Sequence, residues 1–219
     1  MLLDSLIANA SELRSRPRSD VPSRQDPMPL VEPLAPKSHR RIPWKNGRGE
    51  LVVIDSEGGE NWQDMGVAWH FGRTAIVEEG PFSDYTGYER LQVVTKGEGL
   101  VLIAPDHEID MRTAMRPARY DGGTPIRTLL EKGPVEVVNL IASRMRFDIE
   151  LRVGKLGTSL LCKSGRHVVY APAGAAQIEI GGRTSTLTEG HALRVRTDAE
   201  TSIVLLDGQI IVGSIHDKP

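Results

Sequence analysis

Between residues 42 and 90 the sequence interleaves cationic and amide side chains with aromatic ones. The chain has three Trp, four Tyr and three Phe. Seven of these ten lie between 44 and 88: Trp44, Trp62, Trp69, Phe71, Phe82, Tyr85 and Tyr88. Lys45, Asn46, Arg73, Ser83 and Arg90 sit among them. Such a set suits a small acid. The planar fork of an arginine donates two parallel hydrogen bonds to one carboxylate. A lysine adds a compact cation, and an amide both donates and accepts.

Each position also has a purely structural reading. Arg90 enters a strand and can line a pocket, or it can form a surface ion pair with Glu89 or Asp84. Trp69, Phe71 and Arg73 share one face of a regular strand. Arg73 therefore points inward with Trp69, or the whole face is packing. In Trp44-Lys45-Asn46-Gly47, Lys45 can meet an anion that Asn46 orients, or Asn46-Gly47 simply supplies the positive φ of a turn. Ser83 can donate to a ligand or cap its own turn. Asn139 interrupts the apolar run VEVVNLI, and a buried amide there must be paired by a ligand or by the protein.

Other chemistries find little support. The histidines are His39, His70, His107, His167, His191 and His216, and no two lie within four residues, so no metal site is expected. There is no G-x-S-x-G nucleophile motif, phosphate loop or dinucleotide fingerprint, and no cofactor is expected. Glu78-Glu79 and the Glu57–Glu60 pair read as solvated turns. The balance of 27 basic against 29 acidic residues gives a net charge of −2, which argues against nucleic acid as partner. No apolar run approaches the roughly 20 residues of a membrane helix. The opening MLLDSLIANA carries Asp4 and no early Lys or Arg, a poor signal peptide. The single cysteine, Cys162, excludes an internal disulfide, fits a reducing compartment and places the protein in the cytoplasm; it reads as an inert small apolar residue.

The elements that must position these groups are strands. Residues 1–40 hold six of the 14 prolines and none of the 22 glycines, and they read as a mobile, weakly helical arm. Translation from Met28 would remove most of it. From 41 to 219 short apolar runs alternate with glycine turns. The runs 91–95 and 100–104 read as a hairpin about KGEG, followed by strands at 126–130, 135–141 and 147–153. Further strands are expected at 167–171, 177–180, 183–187, 191–196, 201–206 and 209–215. Gly181-Gly182 and Asp207-Gly208 read as hairpin turns. This is an all-β chain, a sandwich or barrel. A faint echo between its halves, 41–153 and 154–219, suggests two cupin-like units, a bicupin.

Three stretches, in this order, resemble the HutD/Ves family. They are Pro43-Trp44-Lys45-Asn46-Gly47, the Trp69 strand followed by Gly80-Pro81-Phe82-Ser83, and Asn139 in its V-V-N-L strand. Gly87 with Arg90 and Gly97 with Gly99 add to the likeness, which covers residues 42–153. Arg48 stands where the family repeats a glycine, and Trp69-His70-Phe71-Gly72 replaces its W-R-x-S, the marks of a divergent branch. The resemblance implies a bicupin fold and a link to histidine utilisation. It also implies a protein that binds a small acidic intermediate, formylglutamate- or urocanate-like, and regulates the pathway by limiting its flux. Two alternatives stand beside this reading. One is a cupin isomerase or hydrolase acting on a small carboxylate, with His70 or a carboxylate as acid or base. The other is a structural β protein whose cavity is filled by side chains. Exposed strand edges make a homodimer a further expectation.

Overall fold

Short β-branched and aliphatic runs, broken by glycine, give this chain 18 strands and one 3-10 turn, Pro36–Ser38, among the described residues. These residues are 28–43, 49–59 and 66–219 of a computed structural model. The strands make four antiparallel sheets, none closed into a barrel. The first holds β7 (Glu108–Met111), β6 (Leu100–Ile103) and β9 (Arg127–Leu130). The second runs β2 (Arg40–Pro43), β3 (Glu50–Gly58), β4 (Val67–Ile76), β10 (Val135–Ser143), β5 (Tyr88–Lys96) and β8 (Ala118–Asp121). The third runs β1 (Leu30–Leu34), β16 (Ala192–Thr197), β13 (Gly165–Tyr170), β18 (Ile211–Asp217) and β11 (Phe147–Val153). The fourth holds β12 (Ser159–Cys162), β17 (Thr201–Asp207), β14 (Ala176–Ile180) and β15 (Arg183–Leu187).

The apolar clusters fix how the sheets stack. Leu100, Leu102 and Met111 of the first sheet pack on Val94, Val135 and Val137 of the second. The opposite face of the second, with Phe71, Val93 and Leu140, packs on Phe147, Val168 and Ile211 of the third. The far face of the third, with Val169, Val195 and Val212, packs on Ile178, Ile203 and Leu205 of the fourth. Neighbours such as Val93 and Val94 enter different clusters because successive side chains leave opposite faces of a strand. Two sandwiches therefore lie back to back, as the bicupin expectation required. The two inner sheets are covered on both faces, so β10 and β18 are apolar at successive positions instead of alternating. Full burial of one such aliphatic side chain contributes about 1.5–3 kcal/mol.

Several connections differ from the sequence reading. The Gly181-Gly182 hairpin forms, with Ile180 opposite Arg183. The runs 91–95 and 100–104 do not pair: β5 belongs to the second sheet and β6 to the first. Asp207-Gly208 likewise carries the chain from the fourth sheet to the third. At Gly208 the φ is 80° and a Cβ would lie 2.1 Å from the Ala175 carbonyl oxygen. The glycine there serves a corner between layers, not a hairpin. Part of the expected arm is also a strand. β1 pairs with β16 at the edge of the third sheet, where Pro33 is tolerated because an edge strand bonds on one side only. Residues 1–27, the rest of the expected arm, lie outside the described residues. β11, drawn into the first half by its sequence position, pairs with β18 of the second.

Polar ties join the two sandwiches. Arg194 on β16 grips both carboxylate oxygens of buried Asp55 on β3 and also reaches Glu32 on β1. Cys162 is buried, and that burial pushes its thiol pKa up, as suits a packing residue.

Candidate functional site

The first sandwich is not packed solid. Bounded by the second sheet, the segment 78–85 and Thr128 of the first sheet lies a cavity of about 640 Å³, within the range of small-molecule sites. Its floor is the face of the second sheet that looks toward the first. Strand register puts His70 opposite Ile141, Ile141 opposite Arg90, and Arg90 opposite Tyr120, one row across β4, β10, β5 and β8. The next row sets Gly72 opposite Asn139 and Asn139 opposite Gln92. The rim is the segment 78–85, whose backbone is stitched to the first sheet. Thr128 N donates to the Gly80 carbonyl at 2.9 Å, and Phe82 N to that of Ile126 at 2.8 Å. Gly80 N donates to the Thr128 hydroxyl at 3.0 Å.

Arg90 dominates the floor. It is 6% exposed, and among the described residues it forms no ion pair. Glu89 is engaged by Arg119 instead, and Asp84 accepts the Thr86 amide and hydroxyl. The guanidinium carbon lies 4.7, 5.3 and 5.2 Å from the ring centroids of Phe82, Tyr85 and Tyr120. Such cation–π contacts hold the side chain, each worth about 0.5–2 kcal/mol. They do not neutralise it. Arg90 Nε and the buried Asn139 Oδ1 have no hydrogen-bond partner among the described residues.

The neighbouring groups are neutral. Burial, helped by the charges of Arg90 and Arg40, pulls the His70 pKa down to about 3. Burial also raises Tyr120 and Tyr85, with Arg90 opposing weakly. Tyr120 keeps its proton and donates to Gln92 Oε1 at 2.7 Å. The floor is thus one buried cation among neutral amides, phenols and an imidazole.

A second cleft, of about 840 Å³, opens on the surface beside Lys163, Arg166, Arg196, Glu57, Asp148 and Asp217. Its charges are largely self-paired, since Arg166 bridges Glu57 and Asp217. Among the described residues no cluster of His, Cys, Asp and Glu could hold a metal ion, and no helix is long and apolar enough to cross a membrane.

The HutD family model matches residues 36–212. The chain belongs to the HutD family. An uncharacterized 21.2 kDa protein in the hutC 3′ region of Pseudomonas putida is 27% identical over 157 residues, 71% of this chain and 81% of that protein. HutD from Pseudomonas fluorescens SBW25 superposes with a TM-score of 0.73 at 23% identity, covering 87% of this chain and 100% of its own. A conserved protein of unknown function from Pseudomonas aeruginosa PAO1 gives a TM-score of 0.73 at 20% identity, with 87% and 100% covered. At these identities the structural likeness establishes the fold.

In this HutD-family chain the cavity gathers four of the residues picked from sequence: Arg90, Asn139 and His70, the candidate acid or base, on the floor and Ser83 on the rim. The surface ion pair offered for Arg90 is not formed. Trp69 and Arg73 do share a face, but it is the other one. Trp69 packs in the cluster between the sandwiches and its Nε1 donates to Glu57 at 3.3 Å. Arg73 is taken by Glu136 at 2.7 Å. Neither lines the cavity; the even positions His70, Thr74 and Ile76 do. Trp44, Lys45 and Asn46 lie outside the described residues, directly after Pro43, which lines the cavity. Glu78 and Glu79, read as solvated turns, are exposed on the rim. The sequence reading missed Gln92, Phe82, Tyr85 and Tyr120 as site residues. Gln92 was within reach, because it sits two residues beyond Arg90 and so shares its face.

Proposed function

We propose that this protein binds a small acidic metabolite in the cavity of its first sandwich and serves histidine utilisation as a regulator. One observation carries the reading: a buried guanidinium with no carboxylate partner among the described residues faces a roomy cavity. Leaving a cation buried and unpaired costs several kcal/mol, and an acid seated on Arg90 would offset that cost with charge-assisted hydrogen bonds. Asn139, Gln92 and Ser83 would supply the neutral contacts. Membership of the HutD family and the hutC-region name of the Pseudomonas putida relative support the pathway.

Binding is favoured over turnover by the state of His70. A general acid or base works best with a pKa near the operating pH, and a histidine held near 3 stays neutral throughout.

Thermal-shift titration with formylglutamate and urocanate tests the function. A true ligand at 100 times its Kd should stabilise the fold by about 2.7 kcal/mol. Neither acid moving the Tm would overturn the reading. Conversion of either acid, followed by NMR, would favour the enzyme.

A further inference from the structure

The hydroxyl of Tyr120 joins two polar groups of the cavity floor. It donates to Gln92 Oε1 at 2.7 Å and accepts a hydrogen bond from the Arg90 side chain. Arg90 and Gln92, two residues apart on β5, both line the cavity. Tyr120 itself does not. Its ring packs with Val94, Leu100 and Met111 in the apolar cluster of the first sandwich, and strand pairing sets it opposite Arg90. The direction of each bond follows from the groups. A guanidinium has N–H donors and no acceptor, so the hydroxyl must accept from it. Burial raises the Tyr120 pKa, so the hydroxyl keeps its proton and turns it to Gln92. An amide that accepts through its oxygen in this way leaves its NH2 for the cavity. Without the hydroxyl, nothing in that contact would tell the two ends of the amide apart, and a flipped amide would turn an acceptor on the guest.

We propose that Tyr120 is a positioning residue: it locks the Gln92 amide with its nitrogen toward the guest, so that Arg90 and Gln92 donate together to one carboxylate. This deepens the acid-binding reading above and rests on it. The two side chains that meet at the Tyr120 hydroxyl meet the same guest on the cavity side. Tyr120 thus adds to affinity through Gln92, without touching the acid.

A double-mutant cycle on the full chain tests this, with urocanate, formylglutamate and acetate as probes in isothermal titration at neutral pH. Tyr120→Phe keeps the ring beside Arg90 and removes the hydroxyl. Gln92→Met removes the amide at similar volume. Each should weaken the tightest-binding acid about tenfold. The double variant should bind about as weakly as Gln92→Met alone, because the hydroxyl acts through the amide. Two results overturn the positioning role and leave the acid site standing: binding that is lost in Arg90→Gln but unchanged in Tyr120→Phe, or single losses that multiply in the double variant. If none of these acids binds the unmodified protein, the acid site and the positioning role fall together. A measurement on the unmodified protein holds even if a variant fails to fold. With nitrogen-15 labelling, the Gln92 NH2 signal, assigned through its own backbone, should shift saturably as the acid is added. A signal that stays in place while the acid binds overturns the role of the amide.

Discussion

The two sandwiches share one plan, yet their interiors differ. Between the third and fourth sheets Ile178, Ile180, Ile203, Leu205 and Ile210 are all almost wholly buried and in mutual contact. In the first sandwich the apolar cluster of Leu100, Leu102, Met111, Val94, Val135 and Val137 shares the interior with a cavity floored by Arg90, Asn139, Gln92 and His70. Close-packed aliphatic interiors stabilise, and buried polar groups without partners do the reverse. The second sandwich and the layer between the two therefore supply stability, and the first trades some of it for a place to hold a guest.

That contrast can be broken most forcefully by truncating aliphatic side chains on each side. Ile203→Ala in the packed sandwich should cost about 3 kcal/mol in urea unfolding. Ile141→Ala, which borders open space already, should cost less than half as much. Equal losses would mean that the two interiors are not energetically different.

Acid should act on both sandwiches through a neutral histidine in each. His70 is held near 3 by burial and by the charges of Arg90 and Arg40. His167, bonded to Ser214 and to the Lys163 carbonyl, is held near 4 chiefly by burial. Both folded values lie below the unfolded value of about 6.5. The unfolded chain therefore takes up protons first as pH falls. Stability is intact above about pH 6.5 and drains below it, down to about 4 for His167 and 3 for His70. Each histidine should remove about 2 kcal/mol between pH 6.5 and 5. Urea unfolding of His167→Gln and His70→Gln across that interval should show flatter slopes, and slopes like that of the parent would refute the assignment.

The seam comes next. Asp55→Ala leaves Arg194 with Glu32 alone and should cost about 1.5 kcal/mol, measured by thermal unfolding. No loss would show that the apolar layer alone joins the sandwiches.

How much of this was readable in the chain depended on the kind of question. Phe147–Val153 and Arg183–Leu187 were marked to the residue, because apolar alternation ended by glycine is a local signal. The destination of a glycine turn was not. Gly97 and Gly208 adopt positive φ just as Gly181 and Gly182 do, and a corner needs that backbone as much as a hairpin does. Parity along β4 was also legible, since Trp69 and Arg73 do share a face. Which face is the cavity was not, because both sides of an inner sheet are buried and the hydrophobic pattern carries no direction. Arg90 stood out as a charge entering an apolar strand. Its companion Tyr120 came from β8, joined to it only by pairing across 30 residues of chain.

The smallest expected effect on stability sharpens the comparison furthest. Arg90→Met replaces a cation that has no ion pair among the described residues with an apolar side chain, so the loss of cation–π contacts and the relief of charge burial nearly cancel. Stability should stay within about 1 kcal/mol of the parent while acid binding disappears. A large loss in urea unfolding would make Arg90 a structural residue.

The central claim, that Arg90 receives the guest's carboxylate, is tested most directly by nuclear magnetic resonance of the arginine side chains. With the protein labelled with nitrogen-15, the Arg90 Nε–H signal should be identified by its loss in Arg90→Met and followed while urocanate is added. The account predicts a saturable shift of that signal, with Arg194 and Arg166 unmoved. A saturable shift at other arginines, with Arg90 unchanged, would contradict it.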